Sequence, residues 1–263
     1  MNDFSRKPST ARESLALEPD PQARLGERRY RLLKLWISDV NGALEETIAP
    51  HIGDRSRVLD AGCSRGDPDI PSLQRAEQAV GIDADLIGLR ANALLRDRVQ
   101  GALESLPFAD NLFDAVVCKF VVEHLPSPPL VFSEFWRVLR PGGMLAVLTP
   151  NRWSVFALVS GLIPYKAKRV FKASLFGGYE EDSFPTRYRA NTMRRLRGML
   201  ANAGFECIET RLLAGMWAFL VFCGPLARVA RACERVQARI PLFRQGCTYI
   251  LAVWRKSSIC AML

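Results

Sequence analysis

The stretch Val58-Leu59-Asp60-Ala61-Gly62-Cys63-Ser64-Arg65-Gly66 constrains the fold of this chain more than any other. An apolar run ends in an acid, a turn carrying two glycines follows, and helical spacing then resumes. Glycine has no Cβ and accepts positive φ, so such a turn lets the backbone approach a ligand closely. A second apolar run, Ala79-Val80-Gly81-Ile82, ends in Asp83. An acid about 20 residues past a glycine-rich strand end is placed to accept the hydroxyls of a ribose. The two runs predict neighbouring parallel strands with a nucleoside-type cofactor laid across their ends.

The first 150 residues repeat this pattern. Strand-like runs at 56–61, 79–83, 98–101, 113–118 and 143–149 alternate with helix-like stretches near 71–78, 85–95 and 130–140. That alternation implies βαβ units and a parallel sheet. Arg140-Pro141-Gly142-Gly143 reads as a helix stop and a turn into the next strand. Ahead of the sheet, 1–27 reads as a flexible lead-in to a domain at 28–263. Leu32, Leu33, Leu35, Trp36, Val40, Leu44 and Ile48 predict an amphipathic helix. Across 151–190 the alternation lapses. It resumes with a helix near 191–203, capped by Asn191 or Thr192, and strands at 205–212 and 247–254. The connection 214–246 is far longer than a hairpin, and long connections are usually functional. Both irregular segments, 151–190 and 214–246, are read as a cap over the substrate side.

Charge divides at the same place. Residues 1–150 hold 18 Lys and Arg against 21 Asp and Glu, while 151–263 hold 18 against 6, a net of +12. Such asymmetry points to an anionic partner: a phosphorylated substrate, a membrane surface or nucleic acid. Stretches 153–165 and 212–227 are uncharged and apolar, and each is followed by basic residues. Both fall short of the ~20 residues of a membrane span. They suit peripheral contact with an anionic membrane or a greasy pocket with a cationic mouth, beside the plainer reading of cap helices burying one face. The basic residues are not interleaved with stacking aromatics, which disfavours nucleic acid. Seven cysteines without a CxxC pair, and an amino-terminal stretch without an apolar core, read as a reduced cytoplasmic protein with no metal site.

Five blocks in order resemble the class I S-adenosylmethionine-dependent methyltransferases, in particular their type 11 branch. Asp60-Ala61-Gly62-Cys63-Ser64-Arg65-Gly66 is similar to the family's D-x-G-x-G-x-G loop, and Val80-Gly81-Ile82-Asp83 to its second strand. Leu106-Pro107-Phe108, leading to Phe113-Asp114-Ala115-Val116-Val117, resembles its third block. Glu123-His124-Leu125 and Arg137-Val138-Leu139-Arg140-Pro141-Gly142-Gly143 complete the series. The resemblance implies a Rossmann-like α/β fold, seven strands with the last antiparallel, and S-adenosyl-L-methionine as cofactor. It implies that Gly62 and Gly66 open the loop to the methionine end, that Asp60 orients that loop, and that Asp83 takes both ribose hydroxyls. Cys63, Ser64, Ala84, Leu106 and Lys119 are placed around the cofactor by the same likeness. Ser64 stands where the family carries its middle glycine, and Ala102 where an acid often holds the adenine amine, with Glu104 or a backbone carbonyl as the substitute.

Two rival readings of the loop fail on chemistry. Gly62-Cys63-Ser64-Arg65-Gly66 spells G-x-S-x-G, but His124 is the only histidine after it, with Asp110 or Asp114 as the acid, the elbow would sit on the first strand, and no oxyanion-hole segment precedes Ser64. A dinucleotide fold would put Asp67 at the third glycine, aiming a negative charge at a pyrophosphate. Glu123 and His124 are the candidate catalytic pair, with His124 as a general base near neutrality. Its alternative is packing or capping the next helix. Phe120, where related quinone-pathway enzymes place a further acid, argues against a metal. Arg187 and Arg189 are candidates to read a substrate anion. The expected acceptor is a small, lipophilic or lipid-linked molecule. The alternatives are a nucleic-acid methyltransferase and a non-catalytic cofactor-binding scaffold.

Overall fold

A computed structural model describes residues 40–154, 157–158, 184–215, 224–240 and 245–257. The predicted lead-in and most of the predicted cap lie outside them. Helix α1 occupies 40–48, and a 3-10 turn, Ala49–His51, follows. The alternating half runs β1 (Arg57–Ala61), α2 (Pro71–Arg75), β2 (Gln78–Asp83), α3 (Leu86–Ala91), β3 (Asp97–Gln100), β4 (Phe113–Lys119), α4 (Pro128–Val138) and β5 (Leu139–Pro150). Then come α5 (Met193–Asn202), β6 (Phe205–Leu213), α6 (Gly224–Arg239) and β7 (Tyr249–Lys256).

The seven strands form one sheet in the order β3-β2-β1-β4-β5-β7-β6. The first five are parallel, and β7 runs antiparallel between β5 and β6. The central strands are buried on both faces, which is why they read as unbroken apolar runs. Val116 and Cys118 enter one core with Phe132 and Phe135 of α4 and Leu196 of α5. Ala115 and Val117 enter the other, under Val40, Leu44 and Ile48 of α1, whose four-residue spacing lines one helix face. The two edge strands carry charge, Asp97 and Arg98 on β3 and Glu206, Glu209 and Arg211 on β6, which disfavours further pairing.

Two local readings need revision. The Pro-Gly-Gly segment is the irregular start of β5, not a turn before it: Leu139 already pairs with Phe113, and a register shift follows. Thr192 alone caps α5, accepting from Arg195 N at 3.2 Å, whereas Asn191 donates to Thr149 Oγ1 and the Pro150 carbonyl. Among the described residues no helix is long and apolar enough to cross a membrane.

Candidate active site

Strand order reverses between β1 and β4, and in open α/β sheets ligands bind at the carboxyl ends of the strands beside such a switch point. A cleft of about 300 Å³ lies there. Gly62, Ser64, Asp83, Ala84, Glu104 and His124 all contribute to its wall. A second hollow, of about 200 Å³ between Asn111, Trp136 and Lys256, is at the amino ends and away from the loop.

The loop folds by trading one strain for several bonds. Gly62 has φ +80° and Ser64 has φ +37°, the latter an uncommon conformation for a residue with a Cβ. Ser64 N donates to Asp83 Oδ2 at 2.8 Å, and its carbonyl accepts from Asn92 Nδ2 at 3.1 Å. Gly88 on α3 leaves room for the Ser64 hydroxyl, since a Cβ there would stand 2.8 Å from it. Asp83 Oδ1 accepts Asp85 N at 2.8 Å. Asp85, not Asp83, caps α3, accepting from Ile87 N and Gly88 N. The Asp83 carboxylate is therefore oriented by two amides, with lone pairs left for a ligand.

Other predicted residues sit behind the wall. Cys63 is buried above Gly81, where a Cβ would come within 2.6 Å of its Sγ, and burial pushes its thiol up to about 12. Gly66 meets Asn92 and Leu94. Leu106 is held by α4: its amide donates to Glu134, and Arg137 takes its carbonyl, that of Phe108 and the Asp110 carboxylate. Lys119 is ion-paired with Asp67, and its Nζ donates to Asn41 Oδ1 of α1 at 3.2 Å. Burial lowers the Lys119 ammonium to about 8. Burial also raises the neighbouring Asp60 carboxyl to about 7, against the opposing pull of Lys119.

The far wall is apolar: Phe120, Val121, Leu125, Pro126 and Phe184. Phe184 opens a segment absent from the motif reading. Arg187 N and Tyr188 N both donate to the Glu123 carbonyl, at 2.6 and 3.1 Å. Arg189, a candidate to read a substrate anion, donates from its guanidinium to the Pro126 carbonyl at 2.6 Å. Phe120 and Tyr188, two bulky residues flanking Glu123, both have positive φ, +56° and +50°. Such strain clusters at functional sites.

Glu123 is buried, accepts from Thr149 Oγ1 at 3.0 Å, and lies with Oε1 3.9 Å from His124 Nε2. His124 Nδ1 is 3.3 Å from the Pro185 carbonyl. A carbonyl only accepts, so Nδ1 carries the proton and Nε2 of the neutral ring is the basic nitrogen. Burial raises the Glu123 carboxyl to about 7. Unfolded, it titrates near ~4.3. Between these values the folded state binds more protons, so its stability is full below the lower value and is lost as pH rises through the upper one. Thermal unfolding should therefore show Glu123→Gln gaining about 3–4 kcal/mol over wild type at pH ~8 and nothing at pH ~4. Parallel pH profiles would contradict this.

The donor set suits a cationic nucleoside ligand. Asp83 brings a carboxylate to the loop, and Lys119 is already paired with Asp67. A pyrophosphate would be repelled, whereas a sulfonium with an ammonium group would not.

Comparison with known proteins gives the same direction. The profile described as "Methyltransferase domain" matches residues 59–147. The ubiquinone/menaquinone biosynthesis C-methyltransferase UbiE of Klebsiella pneumoniae is 32% identical over 190 residues, 70% of each chain. An S-adenosylmethionine-dependent methyltransferase from Mesorhizobium loti superposes with TM-score 0.56 at 16% identity, over 81% of this chain and 96% of that one. Geranyl diphosphate C-methyltransferase from Streptomyces coelicolor, solved with S-adenosyl-L-homocysteine, gives 0.51 at 16% identity, over 82% and 78%. At such identities the structural likeness speaks to fold alone.

Proposed function

The chain belongs to the class I S-adenosylmethionine-dependent methyltransferases of the type 11 branch, and from that premise we propose that it methylates a small lipophilic acceptor seated against the apolar wall. S-adenosylmethionine, when bound, supplies a methyl group activated by its sulfonium. Asp83 would accept the ribose hydroxyls, Glu104 and Ala102 would border the adenine, and the Gly62 turn would border the methionyl end. Asp60 orients the loop from behind, beside Lys119.

The observation that carries the acceptor reading is the meeting of an apolar wall with His124, whose Nε2 lies 3.9 Å from the buried Glu123 carboxyl. A phenolic or hydroquinone acceptor fits it: Phe120, Leu125 and Phe184 bury the ring, and His124 Nε2 takes a hydroxyl proton. The ring gains electron density and becomes a better nucleophile, while buried Glu123 steadies the imidazolium. UbiE, named for C-methylation in ubiquinone and menaquinone biosynthesis, supports an acceptor of this type. Alignment of the reactants supplies much of the rate in any methyl transfer.

The test is label transfer from methyl-labelled cofactor to prenylated hydroquinones, hydrophilic catechols and RNA. Labelled prenylated product, reduced about 10²–10⁴-fold in His124→Ala, is expected. Transfer to RNA or to hydrophilic catechols alone would overturn the proposal.

A further inference from the structure

Helix α6 has a surface that the sheet does not use. Val229, Cys233 and Val236, with Ile240 just past the helix end, recur at spacings of four, three and four, so they share one face. All four are exposed, Val229 and Val236 by more than half. Arg228 and Arg239 are exposed along one flank of that face, and Arg231 is exposed further round the helix. The other flank faces the protein: Ala230 and Glu234 are buried, and Glu234 Oε1 accepts Gly215 N at 2.9 Å. The one acid of α6 is thereby turned inward, leaving an outer surface of apolar and cationic residues.

The anchor also places α6. Strand β6 runs parallel to β5, so Gly215, just past its end, lies at the carboxyl-end edge of the sheet. That is the edge at which the cleft opens. Two further exposed aromatics occupy it, Trp153 just after β5 and Phe184 on the cleft wall.

We propose that α6 is an interfacial helix that seats the carboxyl-end edge of the sheet on an anionic lipid bilayer, presenting the cleft to acceptors dissolved in it. The proposal rests on the lipophilic-acceptor reading and extends it to where the acceptor is met. A lipid surface satisfies both halves of the helix, taking the valine stripe among acyl chains and the arginines among headgroup phosphates. Nucleic acid would meet the arginines and leave the stripe in water. A second copy of α6 packed on the stripe would bring arginines against arginines.

The experiment is flotation of the full chain with phosphatidylcholine vesicles, with and without phosphatidylglycerol. Thermal melting and calorimetric cofactor binding are measured on the same samples. Wild type should float with the anionic vesicles only. Val229→Asp/Val236→Asp should abolish flotation, and Arg228→Gln/Arg239→Gln should weaken it roughly fivefold per arginine. Melting and cofactor affinity should be unchanged, since these side chains lie outside the core and cleft. Absence of flotation, equal flotation of the variants, or a dimer dispersed by Val236→Asp would overturn the proposal. Flotation without cofactor binding would instead remove the enzymatic reading and leave the docking surface standing.

Discussion

Replacing Asp83 by alanine is expected to weaken S-adenosylmethionine binding by two to four orders of magnitude. Hydrogen bonds to a charged acceptor are worth about 1.5–3 kcal/mol each. Two hydroxyls therefore stand to lose about 3–6 kcal/mol, with tenfold in affinity for every ~1.4 kcal/mol. Asp83 also holds the amides of Ser64 and Asp85, so part of the loss could come from a loosened loop. A cofactor analogue lacking the 2′-hydroxyl separates the two causes. It should bind more weakly than the parent to wild type but equally to the variant. Calorimetric titration that finds Asp83→Ala within about threefold of wild type would remove Asp83 from the ribose site.

Gly62→Ala should be the most disruptive small substitution in the loop. Its φ of +80° disfavours any Cβ, and a Cβ there would lie 2.2 Å from Val121 Cγ2. Left-handed backbone costs about 1–2 kcal/mol and overpacking about 1–3, so a loss of about 2–5 kcal/mol is expected. Against a typical total of about 5–15 kcal/mol this threatens folding. Adding Val121→Ala removes the methyl in the way and should recover the packing part only. Urea unfolding of the single and double variants measures both portions. A Gly62→Ala midpoint equal to that of wild type would contradict the argument.

In that second case the sequence offers one reason for a glycine and the fold adds another. The motif made Gly62 a concession to the ligand, whereas its nearest constraint is Val121, 59 positions further along the chain. The βαβ half was legible because its signals are local: buried runs such as Val58–Ala61, a glycine turn, and an acid at the end of each of the first two strands. Those signals also collected Gly62, Ser64, Asp83, Ala84, Glu104 and His124 around one cleft. Lys119 was harder, because its position at a strand end says nothing of Asp67 and Asn41, which reach it only through the tertiary fold. The place of Phe184 on the cleft wall was not legible for another reason: its segment is held from Arg187 and Tyr188. It is tied down by main-chain bonds to Glu123, and such bonds leave no residue-type pattern to read.

The antiparallel strand β7 carries a consequence for synthesis on the ribosome. Strand β6 emerges before β7, yet it touches the sheet only through β7, which is wedged between it and β5. Until residues 249–256 have been made, the run Met144–Leu148 is an open apolar margin at the centre of the future sheet. Unpaired margins of this kind recruit other chains. The nascent protein is thus most in need of a chaperone during the interval in which 214–248 are translated. Synonymous slowing of that interval should lower soluble yield without altering the finished enzyme.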